Sequence, residues 1–152
     1  LVLVRPGEDR GLSGQAEQEA FGSLPAVPDE VTDRLLEEIQ QQMLPALADA
    51  DFAAFSESVY RYGNLAGRCF ASIQGGPYNG EALNQRVRWL RSLGLSGVGQ
   101  SSWGPTLFVL AENQQHAEQV AGQLDRCPSG QQLLVEIAAP CNQGAEISSS
   151  SS

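Results

Sequence analysis

Between Gly97 and Thr106 the chain reads Gly97-Val98-Gly99-Gln100-Ser101-Ser102-Trp103-Gly104-Pro105-Thr106. Glycines let the backbone approach a ligand closely and adopt positive φ, so successive N–H groups can converge on an oxyanion or a phosphate. Ser101, Ser102 and Thr106 add hydroxyl donors. These residues suit a small anionic substrate, with Gly97, Gly99, Ser101, Ser102, Gly104 and Thr106 as its positioning groups. Trp103 offers a face for an aromatic acid or a sugar, and serves equally as a hydrophobic plug. A second cluster, Gln74-Gly75-Gly76-Pro77-Tyr78-Asn79-Gly80, leads into a helix at about Gly80, where free N–H groups and the helix dipole favour an anion. Gln74, Gly75 and Gly76 join the candidates. From the residues alone a second reading stays open for each stretch: a tight β-hairpin whose glycines solve a turn problem, and a plain loop between helices. No general acid or base stands out.

What is absent narrows the chemistry. The chain carries nine Lys+Arg residues, all of them arginine, against 18 Asp+Glu, a net charge of −9. Without lysine it has no phosphate-binding Gly-Lys-Ser/Thr loop and no Schiff-base amine. Scattered arginines on an acidic chain lack the clustered basic face that nucleic acid requires. Arg61 and Arg68, seven apart on one helix, could face an anionic ligand, whereas Arg86, Arg88 and Arg91 read as a solvated face. Cys69, Cys127 and Cys141 lack Cys-x-x-Cys spacing, and His116 is the single histidine, so neither a disulfide framework nor a zinc cage is written here. The cysteines read as small core hydrophobes and His116 as a surface residue. A cytoplasmic setting fits, and no apolar run approaches the ~20 residues needed to span a bilayer.

The elements that must carry these loops follow from periodicity. At 152 residues and 41% hydrophobic content the chain supports one core. Leu1-Val2-Leu3-Val4 opens directly as a buried strand, as in a chain that begins inside a fold. A helical turn is expected at Glu17–Phe21. A long helix from Asp29 or Glu30 buries Val31, Leu35, Ile39 and Met43 until Pro45 ends or kinks it. Asp49 or Asp51 caps a second helix with Phe52, Phe55, Val59, Tyr62 and Ala66 inward. A third carries Leu83, Val87 and Leu90 and closes at Gly94, and Asn113 caps a fourth with Ala117, Val120, Ala121 and Leu124 inward. Strands are expected near Val98, at Leu107–Ala111 and at Leu133–Ile137, the last reached through the turn at Cys127-Pro128-Ser129-Gly130. The order predicts an α+β domain over residues 1–146 with a ferredoxin-like split β-α-β antiparallel sheet and extra helices, then a flexible serine tail at 147–152.

Gly-x-Gly-x-Ser-x-x-Gly-Pro-Thr followed by Leu-Phe-Val-Leu resembles the third, C-terminal motif of the GHMP superfamily. With Trp103 it is similar to one branch, β-ribofuranosylaminobenzene 5′-phosphate synthase. Val2–Pro6 followed by Gly11, Glu19 and Phe21, and Gln74-Gly75-Gly76, are similar to that branch as well. The resemblance implies a two-domain parent whose missing N-terminal domain supplies the phosphate loop, while this C-terminal domain closes the substrate cleft. It implies a synthase that joins phosphoribosyl pyrophosphate to an aminobenzoate-type acid with loss of carbon dioxide and pyrophosphate, in tetrahydromethanopterin biosynthesis. Magnesium would accompany the pyrophosphate, with no tightly held cofactor on this chain. The partners expected are the anionic substrate, the N-terminal domain and a second copy in a homodimer, with neither nucleic acid nor membrane. The domain alone would be inactive. An ATP-dependent GHMP small-molecule kinase and a non-catalytic ferredoxin-like binding module are the alternatives.

Overall fold

The computed structural model describes residues 1–7, 11–125 and 133–144. The turn at Cys127–Gly130 and the serine tail lie outside the described residues. Strand β1 (Val2–Pro6) leads to helices α1 (Gln15–Ser23), α2 (Asp29–Glu38), α3 (Leu44–Ala48), α4 (Phe52–Arg68), α5 (Ala71–Gln74) and α6 (Gly80–Ser92). Strands β2 (Val98–Gln100) and β3 (Leu107–Val109), helix α7 (Gln114–Asp125) and strand β4 (Leu133–Ile137) complete it. The four strands form one antiparallel sheet in the order β2-β3-β1-β4.

Alternation along the strands decides which face is buried. Val2 stands opposite Val109, which stands opposite Val98, and all three are buried. That row and its neighbours Val4 and Leu107 pack with Leu83, Val87 and Leu90 of α6 and with Ala117, Val120 and Leu124 of α7. Each valine or leucine among them contributes roughly 1.5–3 kcal/mol by leaving water. The opposite face carries the row Gly99, Phe108, Leu3 and Glu136, which is where a ligand can meet the sheet.

Capping follows the expected chemistry. Asp51, rather than Asp49, caps α4: its Oδ1 accepts the Ala54 N–H at 2.9 Å. Asn113 Oδ1 accepts the His116 N–H at 2.9 Å, and Gly94 ends α6 with φ +86°.

Two expectations need correction. Of the two expected outcomes at Pro45, an end or a kink, the helix does not end there. A π turn at Ile39–Met43 joins α2 to α3, and the Leu44 N–H donates to the Ile39 carbonyl five residues back. The widened turn accommodates the residue that lacks an N–H, and the helix ends at Ala48. In α4 the buried residues are Ser56 and Ser58, not the aromatic stripe. Phe55, Val59, Tyr62 and Ala66 are half-buried, and Val59, Tyr62 and Ala66 face a cavity rather than the core.

The helices are tied by ion pairs. Glu38 accepts from Ser58 Oγ at 2.6 Å and from Arg61 Nη2 at 2.8 Å, fixing α2 on α4. Arg91 holds Glu57 at 2.6 and 3.0 Å, donates to the Ser96 carbonyl at 2.8 Å, and lies 4.0 Å over the Tyr60 ring. Arg91 is thus a structural clamp between α6 and α4 and not part of a solvated face.

The Arg61 hydrogen bond holds the Glu38 carboxyl below its ordinary value of 4.5, against the opposing effect of burial. A depressed acid stabilises the fold fully above about 4.5 and loses that contribution as pH falls through the lower folded value. Urea midpoints of the wild type and Glu38→Gln are therefore expected to converge on acidification from neutral pH. A separation that stays constant below pH ~4 would contradict this.

Candidate functional site

The two stretches singled out in the sequence meet at one cavity of about 340 Å³. One wall is the α4 face carrying Val59, Tyr62, Gly63, Ala66 and Gly67, and the other is the hairpin with Gly99, Gln100 and Phe108. Phe21, Phe70 and Trp103 close one end, edge to face, with ring centroids 5.3–6.1 Å apart. Aromatic edges around an open slot suit a flat ring as guest.

Of the predicted residues, Gln74, Gly99, Ser102 and Trp103 line the cavity, whereas Gly75, Gly76, Gly97, Ser101, Gly104 and Thr106 do not. Trp103 is 3% exposed, so its packing against Phe21 and Phe70 is that of a plug whose remaining surface forms cavity wall. Phe21, Tyr62, Phe70, Gln100 and Phe108 were not among the predicted site residues. They come from α1, α4, the turn before α5, β2 and β3; Gln100 and Phe108 lie within the motif and the strand that follows it, and Phe21 is among the residues that carry the resemblance, whereas Tyr62 and Phe70 have no sequence signal beyond a helix stripe.

The hairpin backbone corrects the expected amide cradle. The Ser101 N–H donates to the Thr106 carbonyl and the Gly104 N–H to the Ser101 carbonyl, both at 2.9 Å. The Leu110 N–H donates to the Gly97 carbonyl at 2.8 Å, and Gly99 faces Phe108 between these bonded positions. The alternation of the antiparallel ladder makes Gly99 and Phe108 a hydrogen-bonded pair. The amides of Gly99, Ser101 and Gly104 are thus occupied inside the turn. The glycines solve packing problems instead: a Cβ on Gly99 would run into the Phe108 ring, and one on Gly97 would stand 2.7 Å from Leu110 Cβ.

Side-chain amides supply the polar part. Gln74, 7% exposed, donates through Nε2 to the carbonyls of Gly67 and Gly76, both at 3.0 Å. Its Oε1 faces Gln100 Nε2 at 3.4 Å. Gln100 Oε1 accepts the Asn79 N–H at 2.7 Å beside the N-terminus of α6, and Asn79 Nδ2 donates to the Trp103 carbonyl at 2.8 Å. These bonds lock the 74–79 loop onto the hairpin and hold the cavity open between them. Tyr78 is 3% exposed, and burial pushes its phenol up to about 12, so it stays neutral at physiological pH.

The other expected residues lie elsewhere. Arg61 and Arg68 border a polar groove of about 490 Å³ between α2 and α4, together with Arg34, Glu37 and Glu38. There Arg61 is engaged by Glu38, while Arg68 donates to Asn64 Oδ1 at 3.2 Å. His116 accepts the Glu112 N–H at Nδ1 and meets Phe52 edge-on, with the centroids 5.8 Å apart. Cys69 is half-buried and Cys141 exposed, so neither is a core residue, and Cys127 lies outside the described residues. No helix among the described residues is long and apolar enough to cross a membrane.

Comparison with known proteins agrees with this architecture. The sequence is 28% identical over 112 residues to beta-ribofuranosylphenol 5'-phosphate synthase of Methanothermobacter thermautotrophicus. The match takes in 74% of this chain and 33% of that relative, so the chain spans about a third of its length. The family of GHMP kinase C-terminal domains matches residues 43–129, from the end of the π turn through α4, the hairpin and α7. That is more than half of the sequence, and the chain belongs to the GHMP kinase C-terminal family.

Proposed function

We propose that this chain is the substrate-binding C-terminal domain of a β-ribofuranosylaminobenzene 5′-phosphate synthase-like enzyme, a glycosyltransferase-type synthase. The observation that carries the reading is the convergence of Gln74, Gly99, Ser102 and Trp103, drawn from two separated stretches, on one aromatic cavity. The sheet order β2-β3-β1-β4 supports a ferredoxin-like layer of the type expected for this domain. The name of the related archaeal synthase supports the branch.

In this reading the ring of an aminobenzoate-type acid enters edge-to-face against Trp103 and Phe70, and the Gln74 and Gln100 amides hold the loops that border it. The lining carries no charged side chain, so the phosphates and the carboxylate of the reactants are held outside this cavity, by the N-terminal domain of the parent. Magnesium would travel with the pyrophosphate. Among the described residues no group of three His, Cys, Asp or Glu could hold an ion, and the cavity wall does not fit a metal seat. Leu36, Leu44 and Leu47, 47–60% exposed along α2 and α3, offer the N-terminal domain an apolar face to cover. Free Cys69 and the absence of a long apolar helix among the described residues fit a cytoplasmic parent.

The full-length protein tests this directly. Pyrophosphate released from phosphoribosyl pyrophosphate only when an aminobenzoate-type acid is present is the expected result, with tetrahydromethanopterin synthesis as its pathway. Formation of ADP from ATP in its place would favour the kinase reading, to which the family name also points. Neither activity in a correctly folded full-length protein would favour a non-catalytic module.

A further inference from the structure

Another cavity, of about 370 Å³, lies on a different face of α4. Leu65, Arg68, Cys69 and Ser72 recur at helical spacing on its side, whereas Tyr62, Ala66 and Phe70 face the aromatic cavity. Its far wall is the segment joining α1 to α2, with Val27, and the start of α2, with Val31 and Arg34. The volume is that of a small-molecule site. Arg34 and Arg68 are the only charged residues in the lining, and no carboxylate belongs to it.

The two guanidinium groups have donors in excess. Among the described residues Arg34 has neither a hydrogen bond nor an ion pair, and Arg68 is bonded only through Nε to Asn64. Arg61, Arg88 and Arg91 take carboxylate partners, in a chain with twice as many acidic as basic residues. A guanidinium carries five N–H donors in a fork that matches a carboxylate. Arg34 and Arg68 also border the neighbouring polar groove, where Glu38 is engaged by Arg61 but Glu37 faces the space. The groove sets the carboxylates of Glu37 and Glu38 against its arginines, whereas the cavity sets none, so an anion is drawn more strongly to the side without acids. There Val27, which is 45% exposed, Val31 and Leu65 offer apolar surface.

We propose that this cavity binds an organic carboxylate with an apolar body, its carboxylate held by Arg34 and Arg68 and its hydrocarbon part laid on Val27, Val31 and Leu65. The site is separate from the aromatic cavity and does not depend on the function proposed above.

Fluorine NMR of this chain titrated with trifluorohexanoate tests it. Saturable binding at millimolar concentration is expected. Affinity should fall at least tenfold in the double variant Arg34→Gln/Arg68→Gln, as the loss of charge-assisted hydrogen bonds implies. The neutral analogue trifluorohexanol should bind at least tenfold more weakly, and an equal concentration of inorganic phosphate should leave the probe bound. Tyr62→Ala, in the other cavity, should leave the affinity unchanged. Absence of saturable binding would overturn the proposal, as would wild-type affinity in the arginine double variant, equal binding of the alcohol, displacement by phosphate, or loss of binding in Tyr62→Ala. Both arginines are exposed, and the circular dichroism of the double variant checks that it is folded.

Discussion

Replacing Trp103 with alanine should destabilise the domain by about 3–5 kcal/mol, the range for removing a large buried aromatic side chain. The residue stands at the tip of a two-stranded hairpin, a place that is normally wet, yet it is 3% exposed. Phe21 from α1 and Phe70 from the turn before α5 cover it, with centroids at 5.5 and 5.3 Å. Three elements far apart in sequence therefore share one anchor, and edge-to-face pairs of this kind add about 0.5–1.5 kcal/mol each beyond burial. Without the indole, Phe21 loses one of its two aromatic partners and α1 a contact with the hairpin. Urea unfolding should show the loss as a lower midpoint with little change in slope, and Trp103→Phe should restore part of it. A loss below ~1 kcal/mol would mean that the indole is not integrated into the fold. The same truncation should abolish binding of an aromatic acid, because it removes the end wall of the cavity.

Much of this arrangement is legible in the sequence. The strands at Val2, Val98, Leu107 and Leu133 were visible because apolar runs bounded by glycine, proline and polar residues have few other ways to satisfy their backbone. Asn113 and Gly94 marked helix ends through chemistry confined to three or four residues, which is why they were found. Expectations failed where one residue type serves two purposes. Gly97 and Gly99 suggest backbone freedom in sequence, but the partners that exclude a Cβ, Leu110 and Phe108, lie across the hairpin and are invisible to composition. On α4 the aromatic stripe looked like core because periodicity reports a shared face without saying what lies opposite. That face turned out to border a cavity, while Ser56 and Ser58 took the buried positions. The ring cluster of Phe21, Phe70 and Trp103 was unreadable for the same reason: it depends on long-range packing and has no local period.

Two substitutions on α4 separate backbone clearance from helix propensity, and they should move stability in opposite directions. A Cβ on Gly67 would run into the carbonyl oxygen of Pro77, whereas one on Gly63, a turn earlier on the same face, meets nothing within 4 Å. Gly63→Ala should therefore stabilise by about 0.5–1 kcal/mol, the usual return for removing a helical glycine. Gly67→Val should cost about 3 kcal/mol or more, because the added side chain must push a backbone segment rather than a flexible side-chain end. That segment is the 74–79 loop, held in place by the Gln74 Nε2 bonds to the carbonyls of Gly67 and Gly76. Displacing it strains those bonds and the Gln100 contact with Asn79, so the cavity loses the lining that Gln74, Pro77 and Tyr78 supply together with the stability. Thermal and urea unfolding of both variants should give opposite shifts from the wild type, and aromatic-acid binding should be lost in Gly67→Val. Equal, small shifts for the two would mean that the loop yields to a valine without cost and is not what holds the cavity open.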